Sequence, residues 1–147
     1  MAAIRTAEVT WNGSLADGSG TIDYVTSGAF TRLPVSWASR TETADGRTSP
    51  EELLASAHAA CYSMSLSGKL GRNGTPPTSL KVTATVTFEK LEAGWNVASS
   101  ALAVRGIVPG IDAATFAELA EAAKDGCPIS QALKGNVALS VEAPLEG

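Results

Sequence analysis

Cys61 and Cys127 are the two thiols of this 147-residue chain. A free thiol with a pKa near ~8.5 is only a few per cent ionised at neutral pH, and the thiolate is the nucleophile. A working cysteine therefore needs a cation or an aligned dipole beside it. Arg40 is the candidate cation for Cys61. On a helix starting near Ser49, the residues Leu54, Ala57, His58 and Cys61 share one stripe, and Glu51 lies nearly three turns earlier, roughly a quarter-turn round. A carboxylate in a first helical turn is stabilised there and can hold an arginine, so Cys61, Arg40 and Glu51 make a thiolate, a cation and its tether. Cys127 precedes Pro128 at a predicted helix N-terminus, where backbone N–H groups favour the thiolate, whereas Cys61 lies inside a helix. Local electrostatics thus make Cys127 the more acidic of the two.

Each residue also has a plainer reading. Cys61 can be a small buried hydrophobe and Glu51 a solvated first-turn acid. His58, Cys61 and Cys127 supply three zinc-type ligands without paired spacing, so a core histidine satisfied by hydrogen bonds is favoured over a metal site. The chain would then be a non-enzymatic binding module or structural dimer with inert cysteines, or one carrying a static Cys61–Cys127 cross-link.

The stretch from Ser49 to Gly68 is predicted as one helix, which is expected to stop around Gly68 to Gly71. Ser49 and Glu52 have capping-box spacing, and Pro50 occupies the first helical position, where its missing N–H costs nothing. Between Leu53 and Gly68 there is no Lys, Arg, Asp or Glu, so this helix is expected inside the protein or against a partner subunit. It is too short and too rich in serine for a membrane span. Before it, Ala7, Val9 and Trp11 alternate as a half-buried strand, with Asn12-Gly13 as a tight-turn signal opening a hairpin. Ile22 and Tyr24 belong to a second strand. A third run, Pro34 to Thr41, is read as a strand that places Arg40 on the face of Ser36 and Ala38, just before the polar loop from Glu42 to Thr48.

Beyond the helix, Arg72 to Pro77 is a loop. Leu80, Val82, Ala84, Val86 and Phe88 alternate without fault against polar neighbours, which predicts a strand with one core face, and Trp95 to Arg105 returns as its partner. Asp112 caps an amphipathic helix bearing Phe116, Leu119, Ala120 and Ala123 and ending at Lys124 and Gly126. A short helical piece follows from Cys127-Pro128 to Leu133, and Asn136 to Glu142 closes as a strand. Strands, helix, strands, helices and strand make an α+β arrangement, expected as a single domain over residues 1–147.

The composition narrows the partners. A formal charge of -4, from 15 acids against 11 bases with no basic cluster, argues against a nucleic-acid or anionic-membrane surface. The N-terminus lacks the apolar run of a secretion signal, so a cytoplasmic location is expected, where the cysteines are reactive or ligating rather than a permanent staple.

Several stretches together resemble one family. Ser49-Pro50-Glu51-Glu52-Leu53 leading into His58-Ala59-Ala60-Cys61-Tyr62-Ser63-Met64 is similar to the signature of the OsmC family of osmotically inducible proteins, relatives of the organic hydroperoxide resistance proteins. Trp11 with Gly13, Ser39-Arg40-Thr41, Pro76-Pro77-Thr78-Ser79, Val108-Pro109-Gly110-Ile111-Asp112 and Gly126-Cys127-Pro128-Ile129-Ser130-Gln131 extend the likeness over nearly the whole chain. The placement of Arg40 and the run around His58 resemble the OsmC branch. The resemblance implies antiparallel sheets around a long buried central helix, in an intertwined homodimer. It implies a cysteine-based peroxidase of oxidative and osmotic stress defence, with Cys61 as the peroxide-reactive thiol and Cys127 as the resolving thiol, and it gives Arg40 and Glu51 the roles set out above. Organic hydroperoxides would be preferred over hydrogen peroxide if the groove around Cys61 is as apolar as Leu54, Met64 and Leu66 suggest. An external dithiol would be the reductant, and no metal, haem or flavin would be needed.

Overall fold

The computed structural model describes residues 1–146. Two compact units are seen, the first Met1–Leu53 and the second beginning at Leu54. In the first, β1 (Ala7–Asn12), β2 (Ser19–Val25) and β3 (Thr31–Val35) form an antiparallel sheet in that order. The expected opening hairpin is present, but its connection is longer than a two-residue turn. Gly13 takes a left-handed φ of 91°, and the chain closes through Gly18 N–H on the Ser14 carbonyl at 2.8 Å. Trp11 faces Gly20 across the sheet, and a Cβ on Gly20 would stand 2.7 Å from the indole, so the glycine makes room for the ring.

The run from Pro34 to Thr41 is not one strand. The strand ends at Val35, and α1 (Trp37–Thr41) follows. Ser36 is extended and caps it: its side chain accepts the Ser39 N–H at 3.0 Å, while the Ser39 hydroxyl accepts the Ser36 N–H at 3.0 Å. This reciprocal cap satisfies orphan donors that a strand continuation would have sent to a ladder. Arg40 therefore projects from the last turn of a helix rather than from the strand face it was expected to share with Ser36 and Ala38. The Ser39 hydroxyl lies within hydrogen-bond distance of the Thr48 carbonyl, 3.2 Å away, and Thr48 N–H donates to the Pro34 carbonyl at 3.1 Å, which folds the polar loop back on α1.

The central helix is α2 (Pro50–Arg72). Ser49 accepts the Glu52 N–H at 3.1 Å, as its capping role requires, while the Glu52 carboxylate takes the Thr48 hydroxyl at 3.1 Å. The helix ends at Arg72, one residue beyond the stop expected around Gly68 to Gly71, and the buried Leu70 side chain holds the last turn in the core. The stop comes at Gly74, left-handed at φ 83°, where Thr75 N–H returns to the Leu70 carbonyl at 3.0 Å. The helix is also not buried all round. His58, Tyr62, Leu66 and Leu70, four residues apart, form the covered stripe, whereas Met64 is 72% exposed.

In the second unit, β4 (Ser79–Leu91) and β5 (Gly94–Ile107) make a long antiparallel hairpin with the core alternation expected of Leu80 to Phe88. After α3 (Ala113–Gly126) and α4 (Pro128–Leu133), β6 (Ala138–Glu142) adds to β5 in parallel, so this sheet is mixed rather than antiparallel. The two intervening helices carry the chain back to the starting end of β5, which a direct hairpin cannot do. The core gathers Tyr62, Leu66 and Leu70 of α2, Leu102 and Val104 of β5, and Phe116 and Ala123 of α3, with Cys127.

Gly106 is the tightest point of that core. A Cβ there would stand 2.6 Å from Phe116 Cζ, and Phe116 is itself fully buried, so the ring has nowhere to retreat. Gly106→Ala is expected to destabilise by about 1–3 kcal/mol, the usual cost of overpacking. A denaturant midpoint equal to that of the parent would contradict the packing described.

Candidate active site

The residues singled out from sequence fall into two pairs, each within one compact unit. The first pair is Arg40 with Glu51. Arg40 Nε donates to Glu51 Oε1 at 3.0 Å and lies 3.1 Å from Oε2, and the neighbouring NH2 group donates to Oε1 at 2.7 Å. Glu51, in the first turn of α2, is 8% exposed, so it is the held acid of the two readings and not the solvated one. The planar fork fixes guanidinium orientation as well as charge. Trp37, one helical turn before Arg40, sets its ring 5.8 Å from the guanidinium carbon, a cation–π contact that seats the side chain from another side. Trp11, Leu15, Val35, Trp37 and Pro50 line a groove of about 370 Å³ with Arg40 in its wall. This is an apolar recess with one positive group.

The second pair is Cys61 with Cys127. Both are free thiols and their sulfurs are 3.0 Å apart, although 66 positions separate them in sequence. Cys61 is half-buried on α2, and Cys127, fully buried, joins the end of α3 to the start of α4. Burial pushes the Cys61 thiol up, and the neighbouring Cys127 adds to the rise, against a smaller opposing effect of the Ile129 N–H. Burial also pushes Cys127 up, but it is outweighed by Cys61, the Ser130 N–H and hydroxyl and the Ile129 N–H, so this thiol is held below its ordinary value. Cys127 is itself the N-cap residue of α4, with Pro128 in the first helical position, and no side-chain hydrogen bond closes that cap. The more acidic thiol is Cys127, as its local sequence indicated.

His58 is fully buried between two serines. Its Nδ1 lies 2.7 Å from the Ser100 hydroxyl of β5 and its Nε2 2.8 Å from the Ser130 hydroxyl of α4. Burial lowers its pKa. With both ring nitrogens engaged by hydroxyls, it is the satisfied core histidine, and among the described residues no cluster of three metal-ligating side chains forms. Tyr62 donates its hydroxyl proton to the Ala120 carbonyl at 2.9 Å, tying α2 to α3 beside Cys127. Sequence reading passed over Ser100, Trp37 and the contact to Ser130. Ser130 lay in a stretch already of interest through Cys127, but Ser100 carries no local signal, since its partner is 42 positions away.

A two-unit α+β protein with a long helix bearing one of two adjacent free thiols is a narrow class. The family model for the OsmC-like protein matches residues 43–142. Over 142 residues, the chain is 41% identical to Peroxiredoxin OsmC of Escherichia coli strain K12, covering 97% of this chain and 98% of that protein. The crystal structure of the organic hydroperoxide resistance protein OhrB of Bacillus subtilis superposes with a TM-score of 0.73 at 26% identity, over 95% of this chain and 98% of that one. An OsmC like protein from Mycoplasma pneumoniae shares the fold at a TM-score of 0.75 and 16% identity, with both chains covered completely. The chain belongs to the OsmC family, in its OsmC branch.

Proposed function

We propose that this protein is a thiol-dependent peroxidase that reduces organic hydroperoxides, and hydrogen peroxide less efficiently, in stress defence. The observation that carries the reading is the 3.0 Å approach of two free sulfurs, one partly accessible and one buried. A pair of this kind suits a two-thiol redox cycle, and the family relation supplies the peroxide. Cys61 thiolate attacks the distal peroxide oxygen, the O–O bond breaks, and the departing alkoxide takes a proton to become the alcohol. Cys61 is left as a sulfenic acid. Cys127 then attacks that sulfur, and the displaced hydroxide leaves as water with the proton of the Cys127 thiol. An external dithiol reduces the resulting disulfide by two exchanges. No metal or organic cofactor enters the cycle.

Arg40 is assigned the stabilisation of thiolate and leaving alkoxide, and Glu51 the orientation of the guanidinium. Burial raises the cost of charging Cys61, so a cation held in fixed geometry is what the first step requires. The chain is read as one domain that works as an intertwined homodimer in the cytoplasm. Ala57, Ala60, Met64 and Ser67 support a partner subunit: they form an exposed, uncharged face on α2. No helix among the described residues is long and apolar enough to cross a membrane.

The test is stoichiometric. Reduced protein given cumene hydroperoxide is expected to consume one equivalent per chain, release the alcohol and yield a Cys61–Cys127 disulfide by peptide mapping. Unchanged thiols after prolonged exposure would refute the reading.

A further inference from the structure

The reaction as proposed gives His58 no part, yet this ring is fully buried and ties together three elements, α2, β5 and α4. A neutral imidazole donates from one nitrogen and accepts at the other. Two arrangements satisfy both serines. In one, Nε2 accepts the Ser130 hydroxyl proton, Nδ1–H donates to Ser100, and the lone pairs of Ser130 are left toward Cys127. In the other, Nε2–H donates to the Ser130 oxygen, Nδ1 accepts the proton of Ser100, and the Ser130 hydroxyl proton is free to turn to the Cys127 sulfur. Only the second suits a thiolate, because a sulfur anion needs donors and is repelled by lone pairs.

We propose that His58 is a positioning residue for the resolving thiol: its Nε2–H holds the Ser130 oxygen, so that the Ser130 hydroxyl proton is presented to Cys127. The surroundings of the sulfur agree. Cys127 is the N-cap residue of α4 and Ser130 the third residue of that helix, the position whose backbone N–H and side chain face the cap residue, and His58 Nε2 stands 2.8 Å from the Ser130 hydroxyl on that turn. Either arrangement gives both ring nitrogens a hydroxyl partner, so what the sulfur requires of Ser130 decides between them. His58 takes up and releases no proton in this role; it acts through Ser130 on the thiolate that attacks the Cys61 sulfenic acid. Other titratable groups around Cys127 are Cys61 and Tyr62 of α2, Lys69 of the same helix beside Gly126, and Glu121 of α3, which acts on Tyr62.

The inference rests on Cys127 being the resolving thiol, but its test uses reduced protein without peroxide, so the two can fail separately. In a Cys61→Ser background, which leaves Cys127 as the sole thiol and keeps a hydroxyl beside it, the ultraviolet absorbance of the thiolate is titrated against pH. Ser130→Ala is expected to raise the Cys127 midpoint by about one pH unit, the scale of one hydrogen bond to a charged group. His58→Gln keeps an N–H toward Ser130 and should stay near the background value, whereas His58→Leu should move with Ser130→Ala. In the unsubstituted protein, proton–nitrogen correlation spectra of the imidazole should place the His58 proton on Nε2. A proton on Nδ1, or a midpoint unmoved by Ser130→Ala, overturns the proposal, and neither result depends on whether His58→Leu folds.

Discussion

Cys61→Ser is expected to abolish peroxide turnover, down to the rate of the uncatalysed reaction with the reductant. A serine hydroxyl at this position has no accessible anion at neutral pH, and oxygen cannot pass through a sulfenic acid, so the first bond-forming step has no substitute. Cys127→Ser should behave differently. Its first equivalent of peroxide still oxidises Cys61, but with no second sulfur 3.0 Å away the sulfenic acid persists. It then becomes open to further oxidation to the sulfinic acid. The diagnostic contrast is therefore a burst of one equivalent in Cys127→Ser against none in Cys61→Ser, read by mass spectrometry of the two peptides. A burst in Cys61→Ser with none in Cys127→Ser would exchange the roles of the thiols, the direction that acidity alone favours because Cys127 is the thiol held low and Cys61 the one pushed up. Accessibility argues for the assignment made here, since Cys127 is fully buried and Cys61 is not.

The second large effect is expected at Glu51. Glu51→Gln keeps the shape of the side chain but turns an NH2 group toward the guanidinium where an oxygen now accepts, so one arm of the fork is lost. A hydrogen bond between charged groups contributes about 1.5–3 kcal/mol, and each ~1.4 kcal/mol is tenfold. If Arg40 must be held to act on thiolate and alkoxide, kcat/KM should fall about tenfold in Glu51→Gln and up to about a hundredfold in Glu51→Ala, which removes both acceptors. The Arg40 side chain is 29% exposed, so solvent offsets part of the loss in stability, and the activity should suffer more than the fold. Peroxidase activity unchanged in Glu51→Ala would remove the arginine pair from the mechanism.

Where side-chain periodicity and local capping decide the structure, they could be read directly. The alternation from Leu80 to Phe88, the Asp112 cap of α3 and the Pro128 start of α4 are local properties, and each appears as expected. Arg40 was misplaced because Val35-Ser36-Trp37 has the composition of a strand. The turn into α1 depends on the reciprocal bonds of Ser36 and Ser39, and two serines spaced three apart are a weaker signal than serine followed by glutamate. The parallel docking of β6 is a long-range choice that its own five residues do not encode. Helix α2 ends at Arg72, within a residue of its expected stop, and the buried Leu70 between Gly68 and Gly71 offsets the low helix propensity of those glycines. Of the site, the Arg40–Glu51 pair followed from helix-start electrostatics, while the meeting of Cys61 with Cys127 as reactive partners was implied by family resemblance, spacing having offered only a static cross-link as one alternative. The serines around His58 come from 42 and 72 positions away and left no trace in pattern or spacing.

The adjacency of the two sulfurs also sets a kinetic competition. Once Cys61 carries a sulfenic acid, a second peroxide must arrive from solution at whatever concentration the cell holds, whereas Cys127 is already in place. Well-oriented intramolecular groups behave as if present at effective molarities of roughly 10⁵–10⁸ M. No plausible peroxide concentration approaches that range. The fold has therefore met the entropy of ring closure in advance, through the junction of α3 and α4 that fixes Cys127 against α2. Loosening that junction, with every reactive atom left unchanged, should appear first as sensitivity to peroxide excess rather than as a slower first turnover.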